Sequence, residues 1–306
     1  MKKHAFGRTG FEVTQLGFGA APAAYLAADQ ERAAKAINQL LDAGMNLIDT
    51  AAGYPGSESF LGERFSHRRK DFVLVSKCGH RIPESNSEPW APETITATVD
   101  RALRQLRTDH VDVMLLHSCD MKVMQKGEAL AALARAREAG KIRFAGYSGD
   151  NAVAAYAATL ADIAVIETSV SIADQINIDL VLPKTVERNI GVLAKRPIAN
   201  SAWRRELPGI YANYAKVYAD RLATMKLDPA ELGVSGPEET AWPELALRFT
   251  LSQKGVNTAI IGTTNPENAS ANIKYAEKGP LPAEVVEKIR KAFRTADPEK
   301  KWAGQT

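Results

Sequence analysis

The sequence predicts an α/β fold, a closed (β/α)8 TIM barrel with an N-terminal β-hairpin closing the barrel bottom. Three observations carry this. Short apolar runs alternate with helix-length amphipathic segments from residue 16 to about residue 275, the alternation yields eight of each, and the apolar runs are continuous rather than alternating in and out. Continuous runs are the pattern of parallel strands covered on both faces. Strict βα alternation over about 250 residues favours closure into a barrel. A doubly wound open sheet is the alternative, because periodicity does not report closure.

Taken in order, the hairpin is read from two short strand-like pieces around "RTG" within the first thirteen residues. "QLGFG" (15–19) leads to the helical "QERAAKAINQLLDAG" (30–44), with Gly44 as its C-cap. "MNLID" (45–49) leads to "SESFLGERF" (57–65), and "DFVLVSK" (71–77) to "APETITATVDRALRQLR" (91–107), where Pro92 suits a first helical turn. "VDVMLLH" (111–117) precedes "GEALAALARAREAG" (127–140), and "IRFAGYS" (142–148) precedes "NAVAAYAATL" (151–160). "IAVIE" (163–167) precedes "DLVLPKTVERN" (179–189), and "GVLAK" (191–195) precedes a long irregular stretch and the helix "WPELALRFTLSQKG" (242–255). "TAIIG" (258–262) leads into "PENASANIKYAEK" (266–278). No linker or low-complexity tract interrupts the chain, so residues 1–306 read as a single domain.

Bulk properties bound the function. A net charge of +3 with no basic block argues against nucleic acid or a membrane surface as partner. No run approaches a membrane span, and the start lacks the apolar core of a signal peptide. Two cysteines, Cys78 and Cys119, make no disulfide framework, so a cytoplasmic location is expected. Cysteines and scattered histidines show no metal-ligand spacing, and no metal is expected.

Chemistry concentrates at strand ends. The second barrel strand ends at Asp49, the third at Lys77 and the fourth at His117, with Tyr54 in the small-residue loop after Asp49. In a closed parallel barrel the C-terminal strand ends share one opening, where catalytic residues come from several strands. One such residue is read as a cap or a satisfied core histidine. Three on consecutive strands, with a tyrosine beside the first, point to a site.

"NLIDTAAGYPGSESFLGE", "FVLVSK" and "VDVMLLH" resemble the tetrad segments of the aldo-keto reductase superfamily, and "GRTGFEVTQLGFGA" and "AIIGTTNPENASANI" extend the resemblance over nearly the whole chain. The resemblance implies a nicotinamide cofactor, reversible reduction of a small-molecule carbonyl, and Asp49, Tyr54, Lys77 and His117 as the tetrad. Hydride addition leaves an alkoxide, so a proton donor must stand at the oxygen. A tyrosine pKa near 10 is high for that task, and a lysine cation beside it is expected to bring it down. Asp49 would anchor Lys77. His117 would hydrogen-bond and orient the substrate oxygen.

The same resemblance implies a cofactor lining from Gly19, Asp49, Ser148, Glu167, Lys195, Arg196, Gly262, Thr263, Thr264, Asn268 and Asn272. Backbone N–H groups where Pro266 opens a helix suit phosphate. NADP is expected from the family, with NAD open, because the 262–268 segment lacks the cations many relatives place against a 2′-phosphate. Lys195 or Arg196 would have to supply that charge. Three positions depart from the family pattern: Gly149 follows Ser148 in place of Asn, Glu167 replaces a frequent Gln, and Lys195 replaces an aromatic residue. Glu167 and Lys195 are expected to pair across the barrel mouth.

Trp90, Trp203, Tyr211, Tyr214 and Trp302 are candidates to line an aromatic pocket, with packing the plainer reading. Arg81, Arg204 and Arg205 are candidates to receive an acidic group, with solvated surface the plainer reading. Two other functions compete with carbonyl reduction. One is a cofactor-free isomerase using Lys77, His117 and Glu167. The other is a regulatory barrel that binds nicotinamide cofactor with little turnover.

Overall fold

The computed structural model describes residues 1–22, 30–204 and 211–305, and for 211–214 the backbone alone. Arg205 and the side chains of Tyr211 and Tyr214 therefore lie outside the described residues. Strands β1 (Lys3–Ala5) and β2 (Glu12–Thr14) form an antiparallel pair. Strands β3 (Leu16–Gly19), β4 (Leu47–Asp49), β5 (Val73–Cys78), β6 (Val111–His117), β7 (Ile142–Ser148), β8 (Ile163–Ser169), β9 (Gly191–Lys195) and β10 (Thr258–Ile261) close into a parallel barrel in that order. Closure is made by β10, which pairs with β3 on one side and β9 on the other.

Side chains alternate across a strand, so each continuous apolar run serves two cores. Leu47, Val73, Val75, Val113, Leu115, Val165, Leu193 and Ile260 fill the barrel interior. Ile48, Leu74, Met114, Leu116 and Ile166 face outward into the helical layer. Continuing the inward set by two residues reaches Asp49, Lys77, His117, Glu167 and Lys195. The period that fills the barrel with hydrocarbon thus delivers an ionisable group at the top of five strands.

The hairpin closes the opposite end. Phe6 and Val13 are fully buried and join the interior cluster from below. Asn46, just before β4, accepts from Thr14 N at 2.8 Å and donates to Glu12 O at 2.8 Å. Asn257, just before β10, donates to Ala5 O at 2.9 Å, and Arg8 donates to Ala161 O and Ile163 O at 2.6 Å each. Loop residues at the N-terminal strand ends therefore satisfy the hairpin's backbone.

The helical layer departs from expectation where loops carry extra structure. Strand β8 runs two residues beyond the expected 163–167 and ends at Ser169. A short helix, Met121–Lys126, precedes Glu128–Glu138, and Asp120 caps it by accepting from Val123 N at 2.8 Å. The 179–189 segment is two helices, Ile176–Leu180 and Leu182–Glu187, the second with Pro183 in its first turn. The expected 242–255 helix is Glu238–Leu251, with Pro243 inside it. Among the described residues, helices Tyr211–Met225 and Ala283–Ala296 lie outside the βα alternation. They share a second apolar cluster with Glu238–Leu251, built on Tyr218, Leu245, Phe249, Ile289 and Phe293. Among the described residues no helix is long and apolar enough to cross a membrane.

Candidate active site

At the C-terminal end of the barrel lies a cavity of about 910 Å³. Asp49, Tyr54 and His117 line it, and so do Ser148, Glu167, Lys195 and Arg196 from the following strands. Gly19, Gly262, Thr263, Thr264, Asn268 and Asn272 line it too, from the β3 end and the β10 end. Lys77 lies beneath this lining with its side chain fully buried. The four tetrad candidates and the candidate cofactor-lining residues read from the sequence therefore meet at one place.

Lys77 is the centre of the polar cluster. Its Nζ donates to Asp49 Oδ1 at 2.6 Å and to Thr50 O at 3.0 Å. Glu167 Oε2 stands 3.2 Å from the same Nζ, and both carboxylates are 3% exposed. The Tyr54 ring centroid is 5.1 Å from Nζ. Tyr54 is placed by a tight turn between β4 and helix Ser57–Phe65, in which its N–H donates to Ala51 O at 3.0 Å and its carbonyl accepts from Ser57 N at 3.1 Å. Its ring meets His117 edge-on, centroids 6.0 Å apart.

The electrostatics correct one expectation. Burial pushes the Tyr54 phenol above its ordinary range, and Asp49 and Glu167 add to this, outweighing the pull of Lys77. Tyr54 is therefore held as a phenol, a proton donor, rather than drawn toward phenolate. For Lys77, burial disfavours the cation, but Asp49 and Glu167 more than offset it, so the ammonium is held charged. Asp49 is pushed well above the carboxylate range by burial and by Glu167, against Lys77. His117 is held well below its usual value by burial, then by the cation Lys77, the neighbouring His80 and the cation Lys195. It is a neutral imidazole, and its buried Nδ1 has no hydrogen-bond partner among the described residues.

The expected Glu167–Lys195 pair is not formed. Glu167 turns to Lys77, whereas Lys195 Nζ meets Asp150 Oδ2 at 2.8 Å. Asp150 is fully buried as a side chain, and its Oδ1 also accepts from Thr168 Oγ1 at 2.9 Å and Asn177 Nδ2 at 2.8 Å. Asp150 follows Ser148–Gly149 just past the end of β7, where no strand periodicity marks it. Arg196 donates to Ser169 Oγ at 2.8 Å and to the carbonyl of Gln305, so it anchors the C-terminal segment.

His80 is the other residue that the sequence reading missed. It lines the cavity, and its ring centroid is 4.6 Å from that of His117 and 5.3 Å from that of Trp90. Gly79 makes this possible: its φ is +119°, and a Cβ there would lie 2.3 Å from Trp90 Cδ1. The signal was present as "KCGHR", three residues past Lys77.

Of the aromatic candidates, Trp90 backs His80, Trp203 stacks on Trp242 with centroids 5.9 Å apart, and Trp302 packs edge-on against Phe293. None of these three lines the cavity, so packing is their role. Arg81 and Arg204 do line it, both exposed, and Arg81 is 3.5 Å from Glu88. Cys78 and Cys119 are buried free thiols, and burial pushes Cys119 up to about 12 and Cys78 upward also. Neither has the character of a reactive thiolate.

A parallel barrel whose mouth gathers an acid, a buried lysine, a tyrosine and a histidine above a large cleft defines a class of enzymes, and the comparisons with known proteins identify it. The model of the Aldo/keto reductase family matches residues 15–294, so this chain belongs to the aldo-keto reductase family of oxidoreductases. It is 24% identical over 284 residues to an L-galactose dehydrogenase from Arabidopsis thaliana, covering 88% of this chain and 86% of that protein. It is 26% identical over 304 residues to an NADH-specific methylglyoxal reductase from Escherichia coli (strain K12), covering 89% and 93%. Among solved structures, the holo form of the aldo-keto reductase AKR11C1 from Bacillus halodurans superposes with a TM-score of 0.77 at 26% identity, covering 95% of this chain and 96% of that one.

Proposed function

We propose that this protein reversibly reduces an aldehyde or ketone to an alcohol with a nicotinamide dinucleotide, Tyr54 acting as general acid. The observation that carries the reading is the single cleft in which Tyr54, His117 and the Lys77–Asp49 pair share a wall with the polar segment 262–272. A cleft of about 910 Å³ is at the upper end of small-ligand sites, as a dinucleotide with its substrate requires.

The residues fit that cofactor. Gly262 keeps the backbone bare, since a Cβ there would lie 2.6 Å from Pro22 Cγ. Helix Pro266–Glu277 opens beside it, with Asn265 Oδ1 accepting from Glu267 N at 3.0 Å, and its first turns present Asn268 and Asn272 to the cleft. At the other end, His117 Nδ1 is a buried polar atom without a hydrogen-bond partner among the described residues, and Glu167 lines the cleft with its Oε2 3.2 Å from Lys77 Nζ. They suit a carbonyl oxygen and a carboxamide N–H. When bound, reduced nicotinamide supplies the hydride that adds to the carbonyl carbon. Tyr54 gives its phenol proton to the carbonyl oxygen, His117 holds that oxygen, and Lys77 stabilises the phenolate left behind. Solvent then returns a proton to Tyr54.

The expectation of NADP came from the family resemblance and needed another cation, such as Lys195 or Arg196, to meet a 2′-phosphate. Both are committed to Asp150, Ser169 and Gln305, and the cleft-lining residues of 262–272 are uncharged. These features support NAD(H) binding at least as tightly as NADP(H). The isomerase reading needs Glu167 as a free base, and its ion pair with Lys77 counts against that.

Fluorescence titration with NADH and NADPH, followed by an aldehyde panel on wild type and Tyr54→Phe, tests the proposal. NADH should bind no more weakly than NADPH. Tyr54→Phe should cost about 10²–10⁴ in turnover with nucleotide affinity within a few-fold. Binding without turnover on any carbonyl would favour the regulatory barrel, and absence of nucleotide binding would remove the proposal altogether.

A further inference from the structure

A buried lysine paired with one aspartate forms a neutral unit in which each charge compensates the other. Lys77 has two carboxyl neighbours. Asp49 reaches it from β4 and Glu167 from β8, at 2.6 and 3.2 Å, and neither carboxyl group is more than 3% exposed. Thr50 O takes a further N–H of the ammonium at 3.0 Å. Every other charged or titratable group nearby is engaged or neutral: Lys195 pairs with Asp150, and His117 and His80 are both held below their usual values by burial first of all. Tyr54 lies over this cluster with Lys77 5.1 Å from its ring centroid. Where the family pattern has an amide, the chain carries an acid of the same shape, so the change adds charge with almost no change of volume.

We propose that Glu167 is a positioning residue of the catalytic cluster: a second clamp on Lys77 whose charge offsets the ammonium, keeps the Tyr54 phenol from ionising and favours the positively charged, oxidised form of the cofactor. The cofactor part of this rests on the function proposed above; the effect on Tyr54 does not. Because Lys77 remains held by Asp49 and Thr50, removing Glu167 leaves the ammonium in place and exposes its full pull on the phenol. With both carboxyl groups ionised beforehand, as at the alkaline pH of the test below, the cluster then becomes more positive by one charge beside the cleft.

Two variants separate charge from shape: Glu167→Gln keeps the shape and hydrogen-bonding capacity, and Glu167→Met keeps only the length. In ligand-free protein, phenolate absorbance at pH 11 assigned to Tyr54 by subtraction of the Tyr54→Phe background should rise several-fold in both variants. In the cofactor arm, the dissociation constant of the oxidised nucleotide should rise about tenfold in both, the scale of one charge in a partly desolvated site, with that of the reduced form within about threefold. Near-ultraviolet circular dichroism verifies that each variant is folded. Unchanged absorbance in both variants, or a change in Glu167→Met alone, overturns the charge role. Equal weakening of oxidised and reduced nucleotide overturns the cofactor part. If wild type binds no nucleotide, the function proposed above fails, and the ligand-free absorbance still decides whether Glu167 controls Tyr54.

Discussion

Lys77 shows how much of this site follows from one residue's surroundings. Its ammonium has carboxyl groups on two sides and a carbonyl on a third. Lys77→Met would leave Asp49 and Glu167 as buried carboxyl groups with no cation between them. Breaking a buried pair in this way costs about 3–5 kcal/mol. Asp49, already raised by burial, would lose the opposing pull of Lys77 and bind its proton more tightly still in the folded state, so the deficit should be largest above pH 7 and shrink as pH falls. Urea midpoints at pH 5 and pH 8 measure this, and an equal deficit at both would show that the carboxyl groups are not its source. Reduction should fall at least as far as in Tyr54→Phe. Asp49, Tyr54, Lys77 and His117 were legible because each ends or follows an apolar run at a strand end. His80 and Asp150 were not, because both stand in loops, where no periodicity marks a side chain's direction.

At the scale of elements, the two helices outside the βα alternation tie down the C-terminal segment. Helix Tyr211–Met225 supplies Tyr218, whose hydroxyl donates to Asp174 Oδ2 at 2.8 Å, and Arg221, which donates to Ala303 O at 2.7 Å. Gln305 N donates to the same Asp174 oxygen at 3.1 Å, and Asn151 and Gly304 exchange two hydrogen bonds of 3.0 and 2.7 Å. Burial, with Asp150 nearby, raises Asp174 to about 6 against the pull of those donors. A carboxyl group raised in the folded state favours folding when protonated, and that contribution is lost as pH rises from about 4 through 6. Wild type should therefore lose up to about 3 kcal/mol relative to Asp174→Asn between pH 4 and pH 7.5, by denaturant unfolding. A constant gap would mean that Asp174 holds no extra proton. The apolar face of helix Ala283–Ala296, with Val285, Val286, Ile289 and Phe293, was readable at helical spacing. Alternation along the chain gives it no place, because eight βα units already complete a barrel.

Across the whole molecule, the barrel separates the hairpin-filled end from the end that carries the candidate site. Phe6 fills the bottom of the barrel from the hairpin and is fully buried. Phe6→Ala should cost about 3–5 kcal/mol, because the closed ring of strands cannot collapse into the space. Turnover per folded molecule should stay within about twofold of wild type, and a larger loss would mean that the two ends are coupled. By itself the sequence determined the hairpin, the strands in order and the ionisable residues near their C-terminal ends, because these follow from local period and from alternation along the chain, whereas closure does not. Only the tertiary structure decided the pairings at the rim. Lys77 is 90 residues from Glu167, and Lys195 is 45 from Asp150. Strand stagger sets the height of each rim residue, and loops bring in charges that have no period. A buried charge then pairs with whatever opposite charge lies nearest in space. That is why Glu167 was expected on Lys195 and is found on Lys77.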